Sequence, residues 1–359
     1  MLTEPAIDLT ELLRTALERD ASDLHLVRGV PPVLRVDGKI QRLPGNPLDP
    51  SEIETMVEGL LSEQAARRLE KYRDIDFSFE EPGMGRFRAS VFYERGAMSA
   101  SFRVVPSKIR TVEELGLPQV VRELVRRNAG LLLVTGPVGM GKTTTLNTML
   151  DLINDERPVR IITIEDPIEF VHEHKTGMVL QREVRADASS FRRALVAALR
   201  QDPNVICIGE MRDWKTISTA LTAAETGHLV ISTLHTQDSV HTLNRIIDVF
   251  PPHQQAQVRH QLAAVLQGVI SQKLLLRAGG RGRALAYEVM IGTLAVRRLI
   301  REQKTDQIPT LLQTGREMGM ISMDHCIKNL YNSRAISYEV AKAAFSDPDQ
   351  FKEPEWEMA

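Results

Sequence analysis

Gly136-Pro137-Val138-Gly139-Met140-Gly141-Lys142-Thr143-Thr144 follows directly on the apolar run Leu131-Leu132-Leu133-Val134-Thr135. Its spacing fits G-x-x-x-x-G-K-[ST], and each position has a physical task. The glycines let backbone N–H groups turn inward and cradle phosphate oxygens. A lysine at position 142 would bridge β- and γ-phosphates, and the hydroxyl of Thr143 would ligate Mg²⁺. A helix beginning near Gly141 adds the positive end of its dipole. The pattern predicts a nucleotide-binding loop over residues 136–144. The glycines lack G-x-G-x-x-G spacing, so a dinucleotide-binding reading is unsupported.

A phosphate loop needs an acid near Mg²⁺ and a group that orients the attacking water. Val205–Ile208 runs into Gly209-Glu210-Met211-Arg212-Asp213, and Ile161–Ile164 runs into Glu165-Asp166-Pro167. Ligands of parallel α/β sheets bind at the carboxyl ends of strands, so Glu165 and Glu210 are both expected to face the phosphates. Glu210 is placed as a Walker B acid is, and joins Thr143 as a candidate for holding Mg²⁺. One acid after a strand is as readily a helix cap; two such strands after a phosphate loop favour a functional role. His228 and His235 stand at the two ends of another apolar run. A neutral imidazole there could hydrogen-bond a γ-phosphate or an acid, and pattern alone leaves each ring as readily structural as functional. A zinc site is a poor alternative, since no cysteine or third histidine has suitable spacing.

These residues need a sheet to carry them. From about residue 119 the runs Leu131–Thr135, Arg160–Ile164, Val205–Ile208 and Leu229–Thr233 are apolar nearly throughout, as strands covered on both faces are. Helical stripes lie between them: Phe191, Leu195, Ala198 and Leu199 in one, Ile217, Ala220, Leu221 and Ala224 in another. This alternation predicts a parallel α/β sheet over residues 119–293. Residues 294–359 read as a helical region with a short polar tail. Residues 1–105 read as a small α+β domain, and 106–118 as a linker. In the former, Leu9, Leu12, Leu13, Ala16 and Leu17 suggest a helix, and Ile53, Met56, Val57, Leu60 and Leu61 a second. Asp37-Gly38 marks a hairpin turn, and Arg95-Gly96 sits near the turn between the strand-like runs Arg86–Phe92 and Met98–Val105.

With 359 residues, 43% apolar and 26% charged, the chain has the composition of a globular protein of about two domains. Its net charge of −2 speaks against binding nucleic acid through global positive charge. Cys207 and Cys326 are its two cysteines, which fits a reducing compartment and offers no dithiol or zinc-ribbon pair. The first residues carry acids and no basic stretch, unlike a signal peptide. No apolar run approaches the ~20 residues that span a bilayer. A cytoplasmic protein is expected, with any membrane contact made through partners.

Taken together, the segments resemble the secretion-ATPase superfamily, and within it the type IV pilus retraction family, also called the PilT or twitching-motility family. The resemblance rests on SDLHL (22–26), GPVGMGKTT (136–144), ITIEDPIEFVHE (162–173), ALRQDPNVICIGEMRD (198–213), TALTAAETGHLVISTLHT (219–236), DVFPPHQQ (248–255), GVISQKLL (268–275) and EVMIG (288–292). It implies a PAS-like N-terminal domain, a RecA-like P-loop core and a homohexameric ring that hydrolyses ATP with Mg²⁺. Glu165 falls in the family's Asp box and Glu210 at its Walker B acid, with their division of labour open. His228 and His235 fall in its His box, which raises the expectation that they contact nucleotide. Arg86, Arg95 and Arg103 resemble the arginines that complete the site across a subunit boundary, and Arg88 has the stronger claim to be a solvated strand residue. Val138 and Met140 replace small polar residues usual in the family, at positions where the backbone meets phosphate.

The tetracysteine zinc insert and additional N-terminal domain typical of extension and type II secretion relatives are absent from the 359 residues, which favours the retraction branch. Near the C-terminus the family's AIRNLIRE reads Ala295-Val296-Arg297-Arg298-Leu299-Ile300-Arg301-Glu302, with Arg298 in place of Asn. The expected partners are further copies of the chain, an inner-membrane pilus platform protein and a paralogous pilus ATPase, with no direct nucleic acid. The protein is expected in the cytoplasm, held at the inner membrane by the pilus machine. The rival readings are an accessory retraction ATPase, another pilus or type II secretion-type ATPase, and a nucleotide-gated regulatory subunit without useful turnover.

Overall fold

The structure, a computed structural model, describes residues 8–36, 38–105, 108–280 and 282–352. The opening residues that argue against a signal peptide, Asp37 of the expected turn, Pro106 at the start of the expected linker and the end of the polar tail lie outside the described residues. The chain divides into two units, Met1–Lys108 with Pro167–Val171, and Ile109–Asp166 with His172–Ala359.

In the first unit, α1 (Leu9–Glu18) buries Leu9, Leu12, Leu13 and Ala16 on one face, and the Asp8 side chain caps it by accepting from the Thr10 N–H. The strands β1 (Asp23–Leu26), β2 (Val33–Val36) and β3 (Lys39–Arg42) follow. Next comes α2 (Pro50–Glu58), started by a capping box of Asp49 and Glu52. This helix ends before Gly59, so Leu60 and Leu61, expected to extend its stripe, lie past its end. The unit continues through α3 (Glu63–Tyr72), β4 (Asp74–Glu81), β5 (Gly85–Glu94) and β6 (Ala97–Val104). All six strands form one antiparallel sheet in the order β3-β2-β1-β6-β5-β4. Between β5 and β6, Arg95 and Gly96 have φ of +51° and +80°. Two successive positive φ values are what a two-residue hairpin turn requires.

The second unit begins with α4 (Val112–Leu115) and α5 (Val120–Val125), then β7 (Gly130–Thr135), α6 (Lys142–Glu156), β8 (Arg160–Glu165), β9 (Met178–Glu183), α7 (Phe191–Ala198) and β10 (Val205–Ile208). It continues with α8 (Trp214–Glu225), β11 (Leu229–Leu234), α9 (Ser239–Asp248), α10 (Pro252–Val265), β12 (Leu266–Leu276) and β13 (Arg283–Ile291). Four helices close it: α11 (Leu294–Arg301), α12 (Ile308–Thr314), α13 (Met323–Asn332) and α14 (Tyr338–Ala344). Seven strands make one sheet in the order β13-β12-β7-β11-β10-β8-β9. The expectation of a parallel sheet needs one correction. Six strands run parallel, but β13 turns back against β12 as an antiparallel edge. β7, β10 and β11 are buried at every residue, as strands covered on both faces must be. No helix among the described residues is long and apolar enough to cross a membrane.

Candidate active site

Parallel strands place all their carboxyl ends at one edge, and the register of this sheet defines which residues meet there. Thr135 pairs with Leu234, Ile208 with both Ser232 and Ile164, and Thr135 with Ser271 of β12. The phosphate loop after β7, Glu165 at the end of β8, Glu210 just past β10 and His235 just past β11 therefore share that edge.

The loop is held from beside it. Gly136 has φ +147°, and a Cβ there would stand 2.4 Å from the backbone oxygen of Gln272. Gly141, with φ +79°, starts α6 without any side-chain cap. The first N–H groups of that helix thus face the loop, the arrangement that receives a phosphate. Three groups from the β12–β13 hairpin hold the loop's backbone and side chains. Gln272 Nε2 donates to the Met140 carbonyl at 2.5 Å, the Leu274 N–H reaches Met140 Sδ at 3.2 Å, and Arg283 Nη1 donates to the Gly139 carbonyl at 3.3 Å.

Lys142 is buried, and its Nζ donates to the carbonyls of Gly136 and Pro137, each at 2.9 Å. It also lies 3.2 Å from His235 Nδ1. An ammonium can only donate, so Nδ1 accepts and the ring proton sits on Nε2. That nitrogen then donates to Glu210 Oε2 at 3.3 Å. His235 thus links the loop lysine to the Walker B position. The other oxygen of Glu210 pairs with Arg212, whose guanidinium is held above its ordinary pKa by that bond. A cavity of about 500 Å³ opens here, lined among others by Glu210, Arg212, Thr233, His235 and Arg245.

Glu165 is buried, with 5% of its surface exposed. Its Oε1 accepts from Thr163 Oγ1 at 2.6 Å and from Gln181 Nε2 at 3.0 Å. Thr143, Lys142, Glu165, Glu210 and His235 therefore belong to one edge of one sheet. His228 does not join them. It precedes β11, at the amino end where Gly130 begins β7, and its Nδ1 lies 3.0 Å from the Ala223 carbonyl. A six-residue strand separates it from His235, roughly 20 Å of extended chain. The two histidines expected to contact nucleotide therefore stand at opposite ends of β11 within one chain, and His235 is the one at the edge that carries the phosphate loop.

The arginines lie in the first unit. Arg103 is exposed and its Nε donates to Asp23 Oδ1 at 2.9 Å. Burial alone would raise the Asp23 carboxyl, yet hydrogen bonds from Ser22 and Arg103 hold it below its ordinary pKa. Arg88 pairs with Arg103 across β5 and β6, and alternation puts Arg86 on that same face. Arg95 sits at the hairpin tip, at the far end of the two strands. The chain thus gathers Arg86, Arg88 and Arg103, and leaves Arg95 apart.

Sequence reasoning missed the hairpin groups Gln272 and Arg283, as well as Gln181, which touches Glu165. Polar residues inside otherwise apolar strands were the available signal, since a buried amide needs a partner.

The family model for type II/IV secretion system proteins matches residues 4–350. The chain is 47% identical to the type IV pilus retraction ATPase PilT of Pseudomonas aeruginosa, over 96% of this chain and all of that one. It is 42% identical to a twitching motility protein of Neisseria gonorrhoeae, over 94% of this chain and 90% of the relative. A crystal structure of the pilus retraction motor PilT with bound ADP superposes with a TM-score of 0.90, covering 96% of this chain and 98% of that one at 47% identity. On this evidence the chain belongs to the type II/IV secretion system protein family, within its pilus retraction and twitching-motility branch.

Proposed function

We propose that this protein is a Mg²⁺-dependent ATPase motor that retracts type IV pili and so drives twitching motility, working as a homohexamer in the cytoplasm against an inner-membrane platform protein. The observation that carries this reading is the end-to-end 47% identity with a pilus retraction ATPase, in a chain whose phosphate loop, Glu165 and Glu210 share one sheet edge.

The loop amides and Lys142 bind the β- and γ-phosphates, with Lys142 exchanging its bonds to the Gly136 and Pro137 carbonyls for phosphate oxygens. Thr143 and Glu210 are the residues that would hold Mg²⁺, a hard cation suited to hydroxyl and carboxylate oxygens. When bound, Mg²⁺ supplies charge neutralisation on the phosphate oxygens. Water attacks the γ-phosphorus, the bond to the β-phosphate oxygen breaks, and a carboxylate takes the proton. Glu165 and Glu210 are the two acids placed for that step. His235, bonded to both Lys142 and Glu210, holds the lysine and the acid in one geometry. Arg86 and Arg103, and Arg95 from its separate position, are proposed to complete the site of a neighbouring subunit. Removing such a finger lowers turnover by ~10³-fold or more.

The test is steady-state ATP hydrolysis by the purified protein with Mg²⁺, beside Glu210→Ala and Lys142→Ala, with native mass recorded on the same samples. Turnover by a six-subunit species, lost in both variants, supports the motor. ATP binding without turnover by that species overturns it in favour of a regulatory subunit. Restoration of pilus retraction in a retraction-deficient cell by the parent but not by Lys142→Ala then tests the direction of the machine.

A further inference from the structure

Glu165 and the phosphate loop come from different strands, and a chain of hydrogen bonds through Gln181, His172 and Asn147 joins them. Gln181 stands opposite Thr163 in the parallel pairing of β8 and β9, which turns its side chain toward Glu165. Its Nε2 donates to Glu165 Oε1 at 3.0 Å, and its Oε1 accepts the backbone N–H of His172 at 2.8 Å. The His172 ring is buried, and its Nε2 lies 2.7 Å from Asn147 Oδ1. Asn147 is 1% exposed and its Nδ2 donates to the Thr143 carbonyl at 2.8 Å. That carbonyl can only accept, so the Asn147 amide is oriented and its oxygen must face the ring. The ring proton is therefore on Nε2, in the neutral tautomer that donates.

We propose that Gln181 and His172 are positioning residues for hydrolysis: Gln181 aims the Glu165 carboxylate, and His172, through Asn147, holds the first turn of the phosphate-loop helix in register with it. The proposal rests on the ATPase reading and on Glu165 acting in turnover. Each link sets a donor against an acceptor, with Glu165, His172 and Asn147 buried and Gln181 half-buried. A lost donor leaves a buried acceptor unpaired rather than solvated, so the strain passes to the next link. Binding of nucleotide through the loop amides does not require the chain, whereas placing a carboxylate against an attacking water does.

The experiment uses the full-length protein and compares kcat and KM for ATP with the dissociation constant for ADP. His172→Gln places an amide nitrogen where Nε2 stands, while His172→Asn ends one bond short of Asn147. Gln181→Glu keeps the acceptor for the His172 N–H but sets a carboxylate against Glu165. The expected result is kcat reduced about tenfold or more in His172→Asn and Gln181→Glu, kcat within about threefold of parent in His172→Gln, and ADP affinity within about twofold in all three. Equal kcat for the Gln and Asn variants at 172 overturns the role of His172, and parental kcat in Gln181→Glu overturns that of Gln181. If His172→Asn does not fold, a kcat in His172→Gln reduced about tenfold or more overturns the role of the Nε2 donor, and Gln181→Glu decides the role of Gln181 on its own. Glu165→Gln runs alongside. Parental turnover in it overturns the catalytic reading of Glu165 and the positioning proposal with it; an inactive Glu165→Gln beside full-speed position variants overturns the positioning roles alone.

Discussion

His172 shows what burial does to a single titratable group. Enclosure by protein pushes its imidazole down to about pKa 4 from an ordinary value of 6.5, with the Asp151 carboxylate opposing the shift and Lys175 adding to it. Above pH 6.5 the folded and unfolded chains both hold the ring neutral, and pH leaves this contribution unchanged. As pH falls through 6.5 the unfolded chain takes up a proton that the folded chain refuses until about pH 4. Unfolding is favoured across that window, by up to about 3 kcal/mol from this group. Urea midpoints measured from pH 7 to pH 4 should fall for the parent and fall less for His172→Gln, which has no proton to gain. Parallel curves for the two would show that the ring is not enclosed in solution. This role was illegible in the sequence, where His172 appears only as one letter of ITIEDPIEFVHE. Nothing local distinguishes a buried histidine from a solvated one.

At the scale of elements, the phosphate loop is supported by strands far from it in sequence. Gly136 lies against the Gln272 backbone, whereas a Cβ at Gly139 (φ +78°) would meet nothing within 4 Å. Gly139→Ala should therefore cost only the left-handed backbone penalty, about 1 kcal/mol. Gly136→Ala adds a collision with a backbone carbonyl that no rotamer can relieve, so about 2–3 kcal/mol and weakened ADP binding are expected. Thermal unfolding with and without ADP checks the difference, and equal losses would remove the hairpin from the loop's support. The loop and its parent strand were legible because a local run, LLLVTGPVGMGKTT, carries both the strand and the turn chemistry. The four strands read from apolar runs are all present, since full burial on both faces leaves an unbroken apolar signature. β9 and β12 were not read, because Gln181, Arg182, Gln272 and Lys273 interrupt their apolar runs. Two of those interruptions, Gln181 and Gln272, are the side chains that tie β9 to Glu165 and β12 to the loop. The antiparallel turn of β13 depends on a partner strand, and no periodicity encodes that. α3 buries Leu69 alone, too little for a stripe to be visible.

At the scale of the whole molecule, the sequence places arginines in the first unit and the phosphate loop in the second, and the ring reading lets one subunit complete its neighbour's site. On that reading, head-to-tail contacts that close into a ring would pair one subunit's loop with another's arginines at each interface. Six copies of a 40.3 kDa chain give a species of about 240 kDa. If the site is shared, two differently disabled subunits can repair each other. Lys142→Ala lacks the loop lysine but keeps Arg86; Arg86→Ala keeps the lysine. Alone, each should turn over ATP at a small fraction of the parental rate. Mixed in equal amounts and reassembled at random, about one interface in four joins an intact loop to an intact arginine, so activity should return to as much as about a quarter of parental. Arg86 is the better choice than Arg103, because removing Arg103 also takes one of the hydrogen-bond donors from the Asp23 carboxylate and confuses folding with catalysis. Arg95 makes a third arm: its left-handed turn position gives it a structural duty, and Arg95→Gly keeps the turn while deleting the guanidinium. Recovery in the Lys142→Ala and Arg86→Ala mixture places catalysis at the boundary between subunits. A mixture no more active than its components places all the chemistry within one chain, and the ring would then serve force transmission alone.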